Sequence, residues 1–388
     1  MTVYLDHAAT TPLREEAREA WLAAAEAAGN PSSIHGAGQH ARRLLEDARE
    51  RLAAAADCHP TEIVFTSGGT ESANLAIQGL WSARRLGADA IVLPDGEHHA
   101  TLDTVAWLAE HAGAMVRGVG LAADGGILPD AFGAALPGAA LATALVANNE
   151  VGTVNAVGLL ASLASAASVP LHLDAVGAFG HVPVSFRALR AEPGQGGLVA
   201  MSLSAHKLGG PVGAGALVVA REARLHPILH GGGQQRGLRP GTEDVAGAVA
   251  FAVAAELAVA ELAGEAERLR ALRDRLVSGV RGAVPGAVLL GDPDGRLPGN
   301  AHVLFPGAAG ETLLFLLDQE GIAVSTGSAC QAGVPEPSHV VRAMGRTDAE
   351  ARQVLRLTLG RTSTAADVDA LLAALPAAVE RARAASAR

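Results

Sequence analysis

The chain has 388 residues, of which 49% are apolar and 18% charged, and its formal net charge is −10. That length and composition suit a globular protein with one large core and a smaller domain, or two domains. The acidic balance argues against non-specific binding to nucleic acid or to an anionic membrane.

The first stretch, MTVYLDHAATTP, has no basic segment followed by an apolar one, so no secretory signal is expected. In TPLREEAREAWLAAAEAAG, Thr11 suits an N-cap and Pro12 the first helical position, with Gly29 closing the helix. EIVFTSGGTESANLAIQGL then reads as strand, glycine turn and helix, and AIVLPDGEHHATLDTVAWLAEHAGA repeats that order. ALVANNEVG reads as a strand ending in polar residues, followed by a helix near 157–168. VPLHLDAVG, LVAMSLSAHK and GALVVA are further strands. Alternating strands and helices predict a mostly parallel α/β sheet. From 246 to about 281 one long helix is expected, with Leu262, Leu269, Leu272, Leu276 and Val280 on one face. Its apolar run, 246–255, stops at Glu256 and is too short to span a bilayer. NAHVLFP, a helix at 311–320, a Gly/Ser/Pro-rich loop around Cys330, VLRLTLG and a closing helix complete a smaller α+β domain. The expected division is 13–256 for the large domain and 257–388 for the small one, with 1–12 packed against the small domain or the site's mouth.

In such sheets ligands bind beyond the carboxyl ends of the strands. Thr66–Thr70, Glu97 and His98, Asn148 and Asn149, Asp174, and Ser204–Lys207 all fall there. A lone lysine after a strand is ordinarily a solvated strand end. Here Asp174 ends a neighbouring apolar strand, where a buried carboxylate needs a cationic or hydrogen-bonding partner. The glycine turn in TSGGTES opens a helix whose free amides suit a phosphate. Lysine, aspartate, a stacking histidine and a phosphate cradle together describe a site for pyridoxal phosphate, with the lysine as its covalent anchor and the aspartate as partner of the ring nitrogen. The two cysteines, Cys58 and Cys330, give no disulfide framework or metal-ligand spacing and indicate a reducing, cytoplasmic setting.

The chain resembles the cysteine desulfurases of the NifS/IscS class, fold type I pyridoxal phosphate enzymes, over nearly its whole length. The matching stretches include YLDHAATTP, GNPSSIHGAG, EIVFTSGGTES, EHHATLD, NNEVGT, LDAVGAFGH, SAHKLGGPVGAGAL, HGGGQQRGLRPGTEDV, STGSACQAGVPEPSHVVRAMG and LRLTLGRTS. The resemblance implies that Lys207 carries the cofactor, Asp174 pairs with its ring nitrogen and His98 lies over the ring. It assigns Thr70, Ser204 and His206 to the phosphate and Gly69 to the cofactor site. Thr242 reaches the phosphate of a partner subunit, which makes a homodimer. Asn149 sits beside the ring oxygen and the substrate, and Arg356 holds the substrate carboxylate. Cys330 accepts sulfur from L-cysteine as a persulfide while alanine leaves, then passes it to an acceptor such as an iron–sulfur scaffold or a thiolation enzyme. A thiolate does this chemistry, and a Gly/Ser/Pro loop lets one sulfur visit both substrate and acceptor. No role falls to Cys58. His7 and His35 can line the mouth or make structural hydrogen bonds.

At one position the chain departs from the family. Gly177 stands where the family has a glutamine donating to the ring oxygen. Two other readings stay open: a selenocysteine lyase or another enzyme of the same fold, and a non-catalytic cofactor-bearing subunit that acts by docking.

Overall fold

A computed structural model of the chain describes residues 2–190, 194, 196–327 and 336–386. Cys330 lies outside the described residues. In chain order the first elements are β1 (Val3–Tyr4), α1 (Glu15–Ala25), α2 (Gly36–Ala56), β2 (Ile63–Thr66), α3 (Gly69–Ser82), β3 (Ala90–Pro94), α4 (His99–Ala112), β4 (Met115–Val119) and α5 (Pro129–Ala135). Next come β5 (Leu141–Leu145), α6 (Val157–Ala166), β6 (Pro170–Asp174), α7 (Phe186–Arg190), β7 (Gly197–Ser204), β8 (Gly215–Val219) and α8 (Val245–Ala283). The rest are β9 (Val288–Leu290), β10 (Asn300–Leu304), α9 (Gly310–Gln319), β11 (Ile322–Ala323), α10 (His339–Ala343), α11 (Asp348–Ala351), β12 (Val354–Thr358) and α12 (Ala365–Ser386).

Seven strands form the main sheet in the order β2-β8-β7-β6-β5-β3-β4. Only β8 runs against its neighbours, so β2 points the same way as β7 and the parallel strands. The carboxyl ends of β2, β3, β5, β6 and β7 therefore share one edge, and the polar clusters meet there. β5 and β7 are buried along their whole length, and β6 in all but its first residue, which is why they read as near-continuous apolar runs. A second sheet, β12-β10-β9, is antiparallel, and β1 pairs in parallel with β11.

Helix α8 runs through both cores. Its residues up to Ala258 pack into the main-sheet core, while Leu269, Leu276, Val277 and Val280 pack into the second. Glu256 interrupts the apolar run without ending the helix, and its carboxylate pairs with Arg51. By length and composition α8 could cross a bilayer, contrary to the expectation from the short run. Here 56% of its most apolar window is buried against the protein.

Three local expectations need correction. α1 begins at Glu15, not at Pro12, because residues 8–11 are drawn across the site and Arg14 is buried. Arg14 donates from Nε to the Leu208 carbonyl and pairs with Glu261. β5 covers Leu141–Leu145, so VANNEVG is the turn beyond it, not the strand. α2 was not anticipated. His35 caps it, its Nδ1 accepting from Gly38 N, which gives that histidine a structural role.

Candidate active site

A cavity of about 310 Å³ opens at the carboxyl edge of the main sheet, lined in part by Thr70, His98, Asn149, Asp174, Ser204 and Lys207. Gly69, His206 and Gly177 also line it. The glycine turn delivers α3 with its first amides facing this edge. Gly68 has φ 148°, a conformation that side chains other than glycine rarely adopt. A Cβ built there would stand 3.9 Å from Ser204 Oγ. That hydroxyl is buried and has no hydrogen-bond partner among the described residues. A buried polar atom without a partner is costly. Placed beside a helix N-terminus, it completes a cradle for a phosphate.

Lys207 lies in the short turn that follows β7. Its Nζ donates to the carbonyls of Ala8 (2.5 Å) and Ala9 (2.9 Å). Burial, helped by the charge of Arg356, lowers the ammonium to about 8. Lys207 is also the single lysine of the chain; every other basic side chain of this type is arginine. An aldehyde cofactor held through lysine therefore has one possible anchor. The sequence displays this fact, but motif reading alone overlooks it.

Asp174 ends β6 almost wholly buried, its Oδ1 accepting from Val176 N at 2.9 Å. Burial raises it to about 6, with that hydrogen bond and Lys207 opposing. A cationic ring nitrogen beside it would add to the partial countercharge of Lys207 and favour the ionised carboxylate. His98 caps α4, and its Nδ1 accepts from Ala100 N at 3.0 Å. The ring proton is thereby fixed on Nε2. Burial, followed by the charge of Lys207, lowers His98 to about 4, so it is neutral near pH 7 and presents Nε2–H as its free donor. His206 is lowered to about 4 in the same way and contacts Thr10 Oγ1 through Nδ1 at 3.2 Å.

Arg356 is not on the cavity wall. Its Nη1 donates to Asn149 O, its Nη2 pairs with Asp6 at 2.9 Å, and its buried Nε has no partner among the described residues. Thr242 is exposed and away from the cavity. Cys58 is 7% exposed, and burial pushes its thiol up to about 12, which leaves no thiolate for chemistry.

Other groups at the site could not be assigned a part from motifs alone. His7 lines the cavity while its ring bonds Thr11 Oγ1 (2.8 Å) and Ser363 Oγ (3.3 Å). His181 also lines it and bonds the Lys207 carbonyl through Nε2 at 2.9 Å. Glu97 is fully buried, its Oε1 accepting from Leu145 N at 2.7 Å, and burial raises its carboxyl to about 8. Residues 7–11 form an N-terminal strap tied to Lys207 through the Ala8 and Ala9 carbonyls and to His206 through Thr10 and Thr11.

The pH response of Lys207 is testable on cofactor-free protein. The amine, not the ammonium, attacks an aldehyde. The rate of pyridoxal phosphate attachment should rise about tenfold per pH unit below 8 and level off above it. The growth of the visible band gives that rate, and borohydride trapping confirms the linkage. A rate still climbing tenfold per unit from pH 8.5 to 10 would show an unperturbed lysine.

Comparison with known proteins relates the chain to a family. Residues 3–371 match the family model "Aminotransferase class-V". The chain is 50% identical over 390 residues to the "IscS-like cysteine desulfurase" of Mycobacterium tuberculosis, covering 98% of this chain and 97% of the relative. Among solved structures, a "NIFS-LIKE PROTEIN" superposes with a TM-score of 0.89 at 33% identity, covering 98% of this chain and 99% of that one. "SspA in complex with cysteine" superposes with a TM-score of 0.80 at 31% identity, covering 92% and 99%.

Proposed function

Since this chain belongs to the class-V aminotransferase family, we propose that it is a pyridoxal phosphate-dependent cysteine desulfurase, homodimeric and cytoplasmic. It converts L-cysteine to L-alanine and hands the sulfur to an acceptor protein of iron–sulfur cluster assembly or thio-modification. One observation carries the reading: the chain's only lysine and a buried, unpartnered serine hydroxyl share a cavity with a buried aspartate. The similarity to cysteine desulfurases supports the substrate.

Bound there, the cofactor acts as an electron sink that labilises bonds around the amino acid's α-carbon. Lys207 supplies its covalent anchor. Gly69, Thr70, Ser204 and His206 hold the phosphate, with Thr242 of a second subunit completing the cradle. Asp174, ionised beside a ring cation, keeps that nitrogen protonated. His98, neutral with its proton on Nε2, would lie over the ring and offer that proton to the substrate. Asn149, on the cavity wall, would serve the ring oxygen. Arg356 would take the substrate carboxylate by exchanging its Asp6 partner for it. The Cys330 thiolate then attacks the substrate Sγ. An S–S bond forms as Cβ–Sγ breaks, the electron pair passes to carbon, and a proton completes alanine. The products balance as one alanine and one persulfide, with no external oxidant. Purified protein given L-cysteine and a thiol reductant, without a keto acid, should release alanine; a requirement for a keto acid would indicate transamination instead.

Gly177 offers a second test. A Cβ there would meet only the Ala147 carbonyl, at 3.9 Å, so the first atom of a side chain has room at the cavity wall. Gly177→Gln should donate to the ring oxygen and favour its ionised form. The pH midpoint of the visible band should fall by roughly half to one unit, the worth of one net hydrogen bond. Spectral titration of both proteins reads the midpoint, and a rise would contradict the assigned role.

A further inference from the structure

The turn 148–151 joins β5 to the cavity. Asn148 stiffens it: its Oδ1 accepts from Glu150 N (2.9 Å) and Val151 N (3.0 Å), and its Nδ2 donates to Gly96 O at 3.0 Å. Asn149 lines the cavity. The side chain of Glu150 points the other way and is buried. Its carboxylate accepts from Ser338 Oγ and lies 3.8 Å from His339 Nδ1, with no arginine or lysine partner among the described residues. His339 also bonds the Glu97 carbonyl through Nε2 at 3.0 Å.

The same turn reaches residues 325–327. The Glu150 carbonyl is bonded by His302 Nδ1 at 3.0 Å and by Asn300 Nδ2 at 3.1 Å. The His302 ring lies against Gly327, where an added Cβ would come within 2.9 Å of Cε1. Asn149 O holds the Arg356 side chain, and the Arg356 backbone pairs with Ser325 in both directions. The chain that leads into Cys330 at 327 and the chain that returns at 338 are thus tied to one turn. That turn also carries the cavity residue Asn149.

We infer that Glu150 is a positioning residue for sulfur transfer: through Ser338 and His339 it anchors the chain just beyond the residues that carry Cys330. This rests on the proposed desulfurase reading. Glu150 touches no substrate atom in this scheme, so its loss separates two quantities that a general weakening of the site would move together. One is the cysteine concentration that half-saturates the spectral change of the bound cofactor. The other is the rate at which Cys330 gains sulfur at saturating cysteine.

Glu150→Ala and Ser338→Ala approach the contact from opposite sides. Ser338 also caps α10, so both variants are made in the full-length holoprotein and checked by circular dichroism. If Glu150→Ala fails to fold, Ser338→Ala decides alone. Each should slow persulfide formation about tenfold or more, the size expected for a buried charge-assisted hydrogen bond, with half-saturation within about twofold of the parent. The double variant should be no slower than the slower single one, because both remove one interaction. Parental persulfide rates in the folded variants would overturn this inference alone, as would a parallel loss of half-saturation. A parent that places no sulfur on Cys330 would overturn the proposed function, and this inference with it.

Discussion

Lys207→Ala is expected to give a folded protein that binds the cofactor without a covalent link and lacks the visible band of the lysine-bound form. The substitution removes two hydrogen bonds to the N-terminal strap, those to Ala8 and Ala9. Other ties remain: Thr11 N donates to His206 O, Thr10 contacts the His206 ring, and Asp6 pairs with Arg356. Removing a lysine lowered to about 8 by burial also relieves a desolvated cation, so folding should suffer little. Alanine release from cysteine should drop by 10²–10⁴-fold or more, the order expected when a positioned catalytic group is lost. The chain has no second lysine, so no neighbour can substitute. Borohydride treatment followed by peptide mass mapping should find the cofactor on Lys207 in the parent and nowhere in the variant. Label at the N-terminal amine of the parent, or a surviving band in Lys207→Ala, would sink the assignment.

The main sheet was legible because its central strands are buried on both faces. Each is an apolar run that stops where a polar side chain is needed, so Asp174, Ser204 and Lys207 could be placed at one edge before any contact was known. α2 was harder: it opens on Gly36, its cap is a histidine, and glycine lowers local helix preference. At the start of α1 the local signal was clear and tertiary structure overrode it, because residues 8–11 are held against His206 and Lys207. β1 and β11 have two residues each, too few to show a period. Glu150, Glu97 and His181 owe their parts to partners distant in the chain. Glu150 and Ser338 are 188 positions apart, a pairing that periodicity does not encode. Arg356 was recognised by motif, yet its salt bridge to Asp6 joins the two ends of the chain and was invisible before folding.

Cys330→Ala should separate binding from sulfur transfer. In the proposed mechanism the groups that bind and activate cysteine are Lys207, Asp174, His98 and Arg356, and none of them is a thiol. The variant should therefore still change the cofactor spectrum on adding cysteine, with half-saturation close to the parent's. Alanine release should fall at least about a hundredfold, the lower end for loss of a positioned reacting group, and no persulfide should form. Cys58 cannot take over. It is buried in the main core, and its thiol, raised to about 12, is essentially un-ionised at pH 7 to 8. Cys58→Ala should leave alanine and persulfide yields at parental levels while costing on the order of 1 kcal/mol of stability, because a small buried side chain is trimmed. Paired assays on both variants, alanine yield and mass analysis of protein-bound sulfur after brief exposure to cysteine, decide the matter. The chain has only these two thiols, so sulfur on Cys58, or normal turnover by Cys330→Ala, would mean that transfer bypasses Cys330 and that the mechanism is wrong.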